Sequence, residues 1–512
     1  MLFNSFSFLF FYLPIVLAGY FLLGRSGRPL LPAAWLAAAS LFFYGYWDVR
    51  YLPLLLGSIT VNYLGGRLIG ACTGPARKRA LVAALAANLC LLAWYKYANF
   101  FVDSVNTLAH AAGAGGLPPL DIILPIGISF FTFTQIAFLV DCYRGEVREY
   151  RFIHYVLFVS YFPHLIAGPV LHHREMMPQF ADAANTHPHA SHFAIGLSIF
   201  VVGLAKKVLI ADNLSPLAIP VFAAGAQPTL LEAWIGVLAY TFQLYFDFSG
   251  YSDMAIGLSR LFGVKLPLNF DSPYKAANIA EFWRRWHMTL SRFLRDYLYI
   301  PLGGNLHGGT RRYLNLMITM VLGGLWHGAG WNFLIWGALH GVFLGIHGAW
   351  GSLAARLRFS TTSAAWRIFS TALTFVAVCT AWVFFRAPDL ASALAIVDGL
   401  YGGNGVALPD ALARFLLPVQ PLLAAMNVSF YLGGGSAFID GWRWICLAAL
   451  LAFACPNTQQ IMRLVAPALD AKPVGSYLAW QPTRRWAAAI AGLALASMLS
   501  LNRPAEFLYF QF

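Results

Sequence analysis

Long apolar runs recur from one end of this chain to the other. A membrane-spanning helix needs about 20 largely apolar residues to cross about 30 Å of hydrocarbon. Runs that meet or approach this length are Phe6–Leu23, Leu31–Trp47, Tyr51–Ile69, Ala80–Phe101, Ile122–Val140, Phe152–Leu171, Phe193–Ile210, Leu230–Phe248, two within Leu314–Trp350, Ile368–Phe385, Trp442–Ala454 and Trp486–Leu499. The sequence therefore predicts an all-α polytopic membrane protein with about 11–13 transmembrane or re-entrant helices.

The composition excludes a soluble protein. Only 11% of the 512 residues are charged, whereas about 25% is usual for a soluble chain. The 34 Lys and Arg against 21 Asp and Glu give a net charge of +13, which is typical of cytoplasmic loops that contact anionic membrane lipid. Nucleic acid is not an expected partner, because no basic run with interleaved aromatic residues lies outside the loops. The six cysteines form no C-x-x-C pair, so neither a disulfide framework nor a zinc site is expected.

The distribution of Lys and Arg predicts the orientation of the chain. Basic residues follow the first and third predicted spans, whereas the stretch Asp103–Leu120, after the fourth, has no Lys or Arg. Since loops rich in Lys and Arg stay in the cytoplasm, the N-terminus is expected outside. Arg484 and Arg485 precede the last span, so the tail 503–512 is expected to be exported. No soluble domain or repeat is visible, which predicts one integral-membrane domain over residues 1–512.

An arginine-rich segment, residues 260–312, contains nine Lys or Arg and three Asp or Glu. Within it, one set of residues falls at helical spacing on an aromatic face, and another set falls on a charged face. The aromatic set is Phe282, Trp286, Phe293 and Tyr297, and the charged set is Arg285, Arg292 and Asp296. Each charge at the centre of a bilayer costs about 2.5–3.5 kcal/mol, so this segment is expected at the cytoplasmic interface or beside a water-filled cavity.

Two interpretations of this segment remain open on composition alone. It is either an interfacial amphipathic helix that contacts phospholipid headgroups, or the entrance for an anionic, phosphate-bearing acyl donor such as a coenzyme A thioester. In the second interpretation the donor-binding candidates are Arg284, Arg285, Arg292 and Arg295.

A lone histidine stands in the middle of a stretch without charge. From Tyr313 to Ala355 there is no Asp, Glu, Lys or Arg, and His327 lies inside Gly-Gly-Leu-Trp-His-Gly-Ala-Gly-Trp-Asn, residues 323–332. The flanking glycines indicate a broken helix, which at membrane depth is tolerated only against protein or a water-filled cavity. Such a histidine is either structural or a general base that accepts a proton from a hydroxyl. The paired His287, which also follows a tryptophan, strengthens the second interpretation.

Other polar residues have competing interpretations. The pairs and triplets His172-His173 and His187-x-His189-x-x-His192 have metal-ligand spacing, but their surroundings resemble an exposed loop, so no metal site is expected. His340 and His347 share a helix face and are expected to pack within the bundle. Asp247 and Asp253 end an apolar run, and they are either functional or paired with the arginine-rich segment.

Six blocks of sequence resemble the membrane-bound O-acyltransferase (MBOAT) family, and within it the bacterial alginate O-acetylation (AlgI-like) branch. They are Pro125–Phe133, Tyr161–Pro169, Gly203–Asp212, Phe242–Asp253, Phe282–Gly304 and Leu325–Gly337. The resemblance implies helices around a central tunnel, with Trp326, Asn332, Asp247 and Asp253 as candidates to line it. It further implies that His327 is catalytic, that His287 assists it, and that the arginine-rich segment is the cytoplasmic donor entrance.

The resemblance also implies a reaction and a location. The protein is expected in the bacterial inner membrane, with acetyl-CoA as co-substrate, no bound cofactor and a periplasmic acetyltransferase as partner. The acetyl group is expected on an exported polysaccharide, of which alginate is the most typical, with cellulose and peptidoglycan as alternatives. Tyr509, in the aromatic C-terminal motif that begins at Glu506, is a candidate acyl relay or a residue of an interfacial aromatic belt. A transporter or a non-catalytic scaffold subunit remains an alternative from another class.

Overall fold

The apolar runs form helices in nearly every case. The computed structural model describes residues 1–28, 30–147, 151–166, 168–431, 434–470, 477–501 and 508. The helices of the first half are α1 Leu13–Gly24, α2 Leu30–Gly45, α3 Leu52–Ala71, α4 Gly74–Leu92, α5 Ala98–Ala111, α6 Ile128–Arg144, α7 Phe152–Ser160, α8 Phe162–Leu165, α9 His173–Ala181, α10 Ala190–Ala205, α11 Asp212–Ala218 and α12 Leu230–Leu261. Those of the second half are α13 Ile279–Arg285, α14 Met288–Leu294, α15 Gly308–His327, α16 Trp331–Arg356, α17 Ala364–Arg386, α18 Leu390–Leu400, α19 Ala413–Leu416, α20 Gln420–Ala425, α21 Gly434–Ala449, α22 Thr458–Ile461 and α23 Arg484–Leu499.

Five helical segments of the described chain are long and apolar enough to cross a membrane. They are Val49–Ala71, Gly74–Ala111, Ala190–Ala218, Trp331–Arg356 and Ala364–Arg386. Three shorter apolar helices are Phe8–Gly24, Leu30–Gly45 and Leu390–Leu400. The prediction of a helical membrane protein is thereby confirmed. The predicted number of about 11–13 spans is larger than five, because the prediction also counted short and interrupted helices.

Helix α12 is the central element, and α10 packs along it. A Cβ atom on Gly203 would lie 2.5 Å from the carbonyl oxygen of Gly250, and one on Gly257 would lie 2.6 Å from that of Gly196. The two backbones therefore approach so closely that only glycine fits at these crossings. Helices in membranes use small residues in this way, because lipid supplies no hydrophobic force that drives helices together.

Buried ion pairs join the same helices. Lys206 Nζ lies 2.6 Å from a carboxylate oxygen of Asp253, and Lys207 Nζ lies 2.9 Å from one of Asp247 and 2.7 Å from one of Asp212. The two acids of α12 therefore pair with lysines that follow α10. Their predicted pairing with the arginine-rich segment is wrong, because the two lysines that follow α10 pair with them instead.

Two predicted helical stretches are interrupted. The predicted span Phe152–Leu171 consists of the nine-residue α7 and the four-residue α8, with a bend at Tyr161. The predicted single helix through the arginines is divided into α13 and α14, because Trp286 is extended and His287 has a left-handed backbone with φ of 42°. The prediction of one aromatic face and one charged face assumed a continuous helix, and it is therefore wrong beyond Arg285.

The break predicted around His327 is confirmed. Helix α15 ends at His327, and α16 begins at Trp331. Between them Gly328 and Gly330 have extended backbones. The sequence did not predict one small feature, a parallel pair of strands, β1 Val406–Pro409 and β2 Val428–Tyr431, in which Val406 is opposite Val428.

Candidate active site

His327 lies at the end of α15 inside an aromatic enclosure. The centroid of its ring lies 4.8 Å from that of Trp326, 5.1 Å from that of Trp336 and 5.2 Å from that of Phe385. The residue is 7% exposed, and its Nδ1 atom has no hydrogen-bond partner among the residues that the structure describes. A buried polar atom without a partner costs free energy, so this nitrogen is available to a substrate or to water.

A cavity of about 190 Å³ opens beside His327, and we call it the histidine cavity. Its lining residues are Trp47, Lys96, the loop and helix start 124–130, Ile166, Trp326 and His327. Trp326 therefore contacts the cavity as predicted for a tunnel-lining residue. Asn332 instead donates a 3.0 Å hydrogen bond to the carbonyl oxygen of Ala387 and is absent from this lining.

His287 occupies the break between α13 and α14. Its side chain is fully buried, and its Nδ1 lies 3.0 Å from Oδ1 of Asn269. The same oxygen accepts a hydrogen bond from the hydroxyl of Thr289 at 2.9 Å, and the carbonyl oxygen of Asn269 accepts one from the amide of Met288. With the amide oxygen facing the ring, Nδ1 of His287 carries a proton and Nε2 is the basic nitrogen.

The two histidines lie together, with their ring centroids 6.4 Å apart. On one side His327 lines the histidine cavity, and on the other side Met288 and Thr289, which follow His287, line a second and larger cavity. One histidine therefore lines one cavity, and the two residues that follow the other histidine line the second cavity. This proximity could not be obtained from sequence spacing, because the two residues are forty positions apart.

The second cavity has a volume of about 440 Å³, and we call it the arginine cavity because Arg284, Arg292 and Arg295 line it. The two terminal guanidinium nitrogens of Arg292 donate hydrogen bonds to the carboxylate of Glu175, at 2.7 and 2.9 Å. Arg295 donates one to the carboxylate of Asp296 at 2.7 Å. Arg284 is exposed and has no ion pair among the described residues. The cavity therefore presents at least one arginine that no carboxylate of the described residues neutralises, which suits an anionic ligand.

Arg285 is the predicted donor-binding residue that does not line this cavity. Its guanidinium bonds to Glu281 at 2.7 Å and to the carbonyl oxygen of Asp271 at 3.2 Å. Its structural role is to hold α13 against the preceding loop. Its role in donor binding stays a prediction, and the position of its side chain outside the cavity does not favour that role.

A buried cluster around Asp141 holds the arginine-rich segment against α6 and α9. The hydroxyl of Tyr297 donates to Asp141 at 2.9 Å and lies 3.2 Å from Nδ1 of His172, while Nδ1 of His173 lies 3.1 Å from Asp141. Burial, reinforced by Asp141, raises the pKa of Tyr297, so the phenol stays protonated and donates. Burial lowers the pKa of His172 to about 4, so its ring is neutral.

The environment predicted for His172 and His173 is wrong. Both are buried, at 2% and 3% exposure, rather than part of an exposed loop. The signal that could have corrected the prediction is Asp141 itself, since an acid within an apolar run requires a partner. His187 and His189 are exposed as expected, and His340 packs among aromatic rings and accepts a hydrogen bond from Trp283 at 3.2 Å.

Tyr509, the candidate relay, and the rest of the tail 503–512 except Leu508 lie outside the described residues. Leu508 is 2% exposed, and its backbone amide donates to Asp247 at 3.2 Å. It packs in the same apolar cluster as Phe246, Trp336 and Phe385. The residue that precedes Tyr509 is thus buried in the core that also contains Trp336 and Phe385, two neighbours of His327.

Sequence reasoning missed Lys96. Its ammonium group lies in the histidine cavity and donates to the carbonyl oxygens of Trp326 and His327, the latter at 3.0 Å. The signal was present, because Lys96 is a single cation inside the predicted span Ala80–Phe101. An ionisable residue within a span is costly and is therefore a functional candidate.

The comparisons with known proteins identify the family of the chain. A model of the MBOAT, membrane-bound O-acyltransferase, family matches residues 89–387, a range that includes both histidines and Lys96. The chain belongs to this family. As a membrane-bound O-acyltransferase it is an enzyme of acyl transfer, and the predicted family is confirmed.

Individual relatives of this membrane-bound O-acyltransferase include proteins named for different polymers. The chain is 46% identical to "Peptidoglycan O-acetyltransferase" of Helicobacter pylori over 435 residues, which cover 80% of this chain and 81% of that protein. It is 45% identical to "Probable alginate O-acetylase AlgI" of Pseudomonas aeruginosa over 404 residues, which cover 78% and 75%. It is 26% identical to "Teichoic acid D-alanyltransferase" of Bacillus subtilis over 279 residues, which cover 52% and 70%.

Proposed function

We propose that this enzyme takes an acetyl group from acetyl-CoA on the cytoplasmic side of the bacterial inner membrane and delivers it to the outer side. There it serves the O-acetylation of an exported polysaccharide, with alginate as the first candidate. A periplasmic acetyltransferase is the proposed partner that completes the transfer to the polymer.

The observation that carries the proposal is that two buried histidines lie close together, and that His327 lines one cavity while the residues after His287 line another of different character. The arginine cavity presents guanidinium groups suited to the phosphates of coenzyme A. The histidine cavity presents the buried imidazole of His327, whose Nδ1 has no described partner. A donor bound in the first cavity and a hydroxyl in the second would meet at the two rings, which are 6.4 Å apart.

The chemistry at this point is an acyl transfer from sulfur to oxygen. His327 accepts the proton of the acceptor hydroxyl, while the oxygen of that hydroxyl attacks the carbonyl carbon of the thioester. The tetrahedral intermediate collapses with cleavage of the carbon–sulfur bond, and the proton on His327 passes to the departing thiolate. His287, which Asn269 fixes in one orientation, orients the thioester from the side of the arginine cavity.

The charge pattern supports the proposed orientation. The arginine cavity is built from the most basic part of the chain, and basic segments stay on the cytoplasmic side. The histidine cavity is lined in part by Leu124 and Pro125, which follow the stretch Asp103–Leu120 without Lys or Arg. We therefore assign the arginine cavity to the cytoplasm and the histidine cavity to the outer side.

We also propose that Tyr509 carries the acetyl group as a tyrosyl ester before the partner receives it. The support is Leu508, whose amide is bonded to Asp247 and whose side chain is packed in the core beside the site. The phenol oxygen of Tyr509 would then be the hydroxyl that attacks the thioester.

The test uses purified protein, labelled acetyl-CoA, measurement of free coenzyme A and mass analysis of the C-terminal peptide. Wild type is compared with His327→Ala, Tyr509→Phe and the control His347→Ala, which changes a histidine of α16 that lines neither cavity. We expect an acetyl group on the wild-type and His347→Ala peptides and none on the other two. Coenzyme A release that depends on His327 without label on Tyr509 would refute the relay and keep the transferase. Equal release by wild type and His327→Ala would refute the proposed chemistry and favour a transporter or scaffold.

Peptidoglycan is a second candidate polymer, because the Helicobacter pylori relative named for it matches as much of the chain as the AlgI proteins do. A strain that lacks this chain distinguishes the two. Loss of acetyl esters from exported alginate supports the first candidate, and loss from purified cell wall supports the second. Complementation by wild type but not by His327→Ala links the loss to the enzyme's own site.

A further inference from the structure

Lys96 lies on a π-helical turn, Ala93–Tyr97, between α4 and α5. Such single turns widen a helix by one residue and occur often at functional sites. The turn places Lys96 and Tyr97 against the last residues of α15. This contact joins two segments that are about 230 positions apart in the sequence.

Together these two side chains bind three successive carbonyl oxygens at the end of α15. The hydroxyl of Tyr97 donates to the carbonyl of Leu325 at 2.8 Å, and the ammonium of Lys96 donates to the carbonyls of Trp326 and His327. The last carbonyls of a helix lack partners within the helix and carry its negative pole. A cation at this position satisfies them and fixes the turn that bears the histidine.

The ammonium group has no capacity left for a substrate. A lysine has three N–H donors, and the third goes to the hydroxyl of Ser129 at 3.3 Å. The charge also lies 5.9 Å from the ring of Trp326. No carboxylate among the described residues forms an ion pair with it, whereas Lys206 and Lys207 pair with Asp253, Asp247 and Asp212.

We propose that Lys96 is a positioning residue for His327 in the acyl transfer. It holds the backbone of Trp326 and His327 so that the imidazole faces the histidine cavity without needing a side-chain partner of its own. The inference rests on the proposed function. It adds that the geometry of the base is set by a helix distant in sequence rather than by a carboxylate bonded to its ring.

The test is Lys96→Met, which keeps the length of the side chain and removes all three donors, against Tyr97→Phe, which removes the neighbouring bond one residue further from the histidine. Turnover and KM for acetyl-CoA are measured by coenzyme A release, with melting temperature as the measure of folding. A displacement of about 1 Å at a reacting group costs about a hundredfold in rate. We expect Lys96→Met to lower kcat by about that factor with KM for acetyl-CoA unchanged, and Tyr97→Phe to keep kcat within about threefold.

Two further variants complete the test. If Lys96→Met does not fold, Lys96→Arg retains the charge but cannot fit its planar group to the same three acceptors, and we expect a lower kcat with KM retained. Combining the lysine change with His327→Ala is expected to cause no additional loss, because both changes remove the action of one base.

Four outcomes have distinct meanings. Normal kcat in Lys96→Met, or equal losses of kcat in Lys96→Met and Tyr97→Phe that follow their melting temperatures, would overturn the inference. An additional loss in the double variant would also overturn it. If His327→Ala itself turns over like wild type, the proposed function fails, and that result is read independently of Lys96.

Discussion

At the scale of residues, the backbone of His287 is the most unusual feature of the site. A non-glycine residue with positive φ is uncommon, and asparagine tolerates this conformation better than other side chains. The φ of His287 is 42°, and the hydrogen bonds from His287, Met288 and Thr289 to Asn269 stabilise it. Strain of this kind persists where the surrounding structure compensates for it, often at functional sites.

Two substitutions of His287 separate strain from packing. We expect His287→Asn to be more stable than His287→Val by about 1–2 kcal/mol, although valine is the more apolar residue in a buried position, because a β-branched side chain disfavours the left-handed region. Both variants are expected to lose turnover. Thermal unfolding in detergent gives the order of stability, and the reverse order would show that this backbone conformation is not strained in the folded protein.

The arginines of the arginine cavity allow a second prediction. Arg284→Gln is expected to raise KM for acetyl-CoA about tenfold with little change in kcat, since a charge-assisted hydrogen bond contributes about 1.5–3 kcal/mol. Arg285→Gln is the matched control on the same helix, because Arg285 pairs with Glu281 and does not line the cavity. Steady-state kinetics with varied acetyl-CoA gives the KM of both variants and of wild type. Equal KM values for Arg284→Gln and wild type would remove Arg284 from donor binding.

At the scale of elements, the contact between α15 and α16 supports the turn that bears His327. A Cβ atom on Gly337 would lie 2.4 Å from the carbonyl oxygen of Met320, whereas one on Gly345, further along α16, would meet nothing within 4 Å. The first glycine is therefore required by a close approach of two backbones, and the second is not.

This difference predicts that a glycine-to-alanine substitution affects stability differently at these two positions of α16. Gly337→Ala is expected to destabilise the protein by about 1–3 kcal/mol, the usual cost of overpacking, and to lower turnover by displacing α15. Gly345→Ala is expected to be neutral or to stabilise by up to about 1 kcal/mol through its higher helix propensity. Melting temperature and coenzyme A release measure both effects. A neutral Gly337→Ala would mean that the two helices separate easily at this contact.

The helices were predictable where a single physical signal dominates. An apolar run long enough for the membrane specifies a helix, as for Leu31–Trp47, which the structure has as Leu30–Gly45. The break at Tyr161 had a signal in Pro163, which lies in the first turn of α8. The break at His287 was not predictable, because neither glycine nor proline lies at it and it depends on a tertiary partner, Asn269. His327 was found because glycines flank it in an uncharged stretch and a family motif matches it. The role of Lys96 required the fold, since its acceptors belong to another helix.

At the scale of the whole molecule, the proposed site consists of two cavities and two neighbouring histidines. The helices of the family core supply the histidine cavity from one side and the arginine-rich segment supplies the other cavity. The last described residue, Leu508, returns to the bundle and bonds to Asp247 on α12. Leu508 therefore lies in the same apolar cluster as Trp336 and Phe385, two aromatic neighbours of His327.

The most direct measurement is an electron cryomicroscopy structure of His327→Ala with acetyl-CoA, in which the substitution prevents turnover and leaves the arginine cavity intact. We expect density for the phosphates beside Arg284 and Arg295. We also expect the thioester carbon within van der Waals contact, about 4 Å, of His287 and of the space vacated by the imidazole. Acetyl-CoA bound with its thioester away from both positions, or bound first in the histidine cavity, would contradict acyl transfer at this histidine pair.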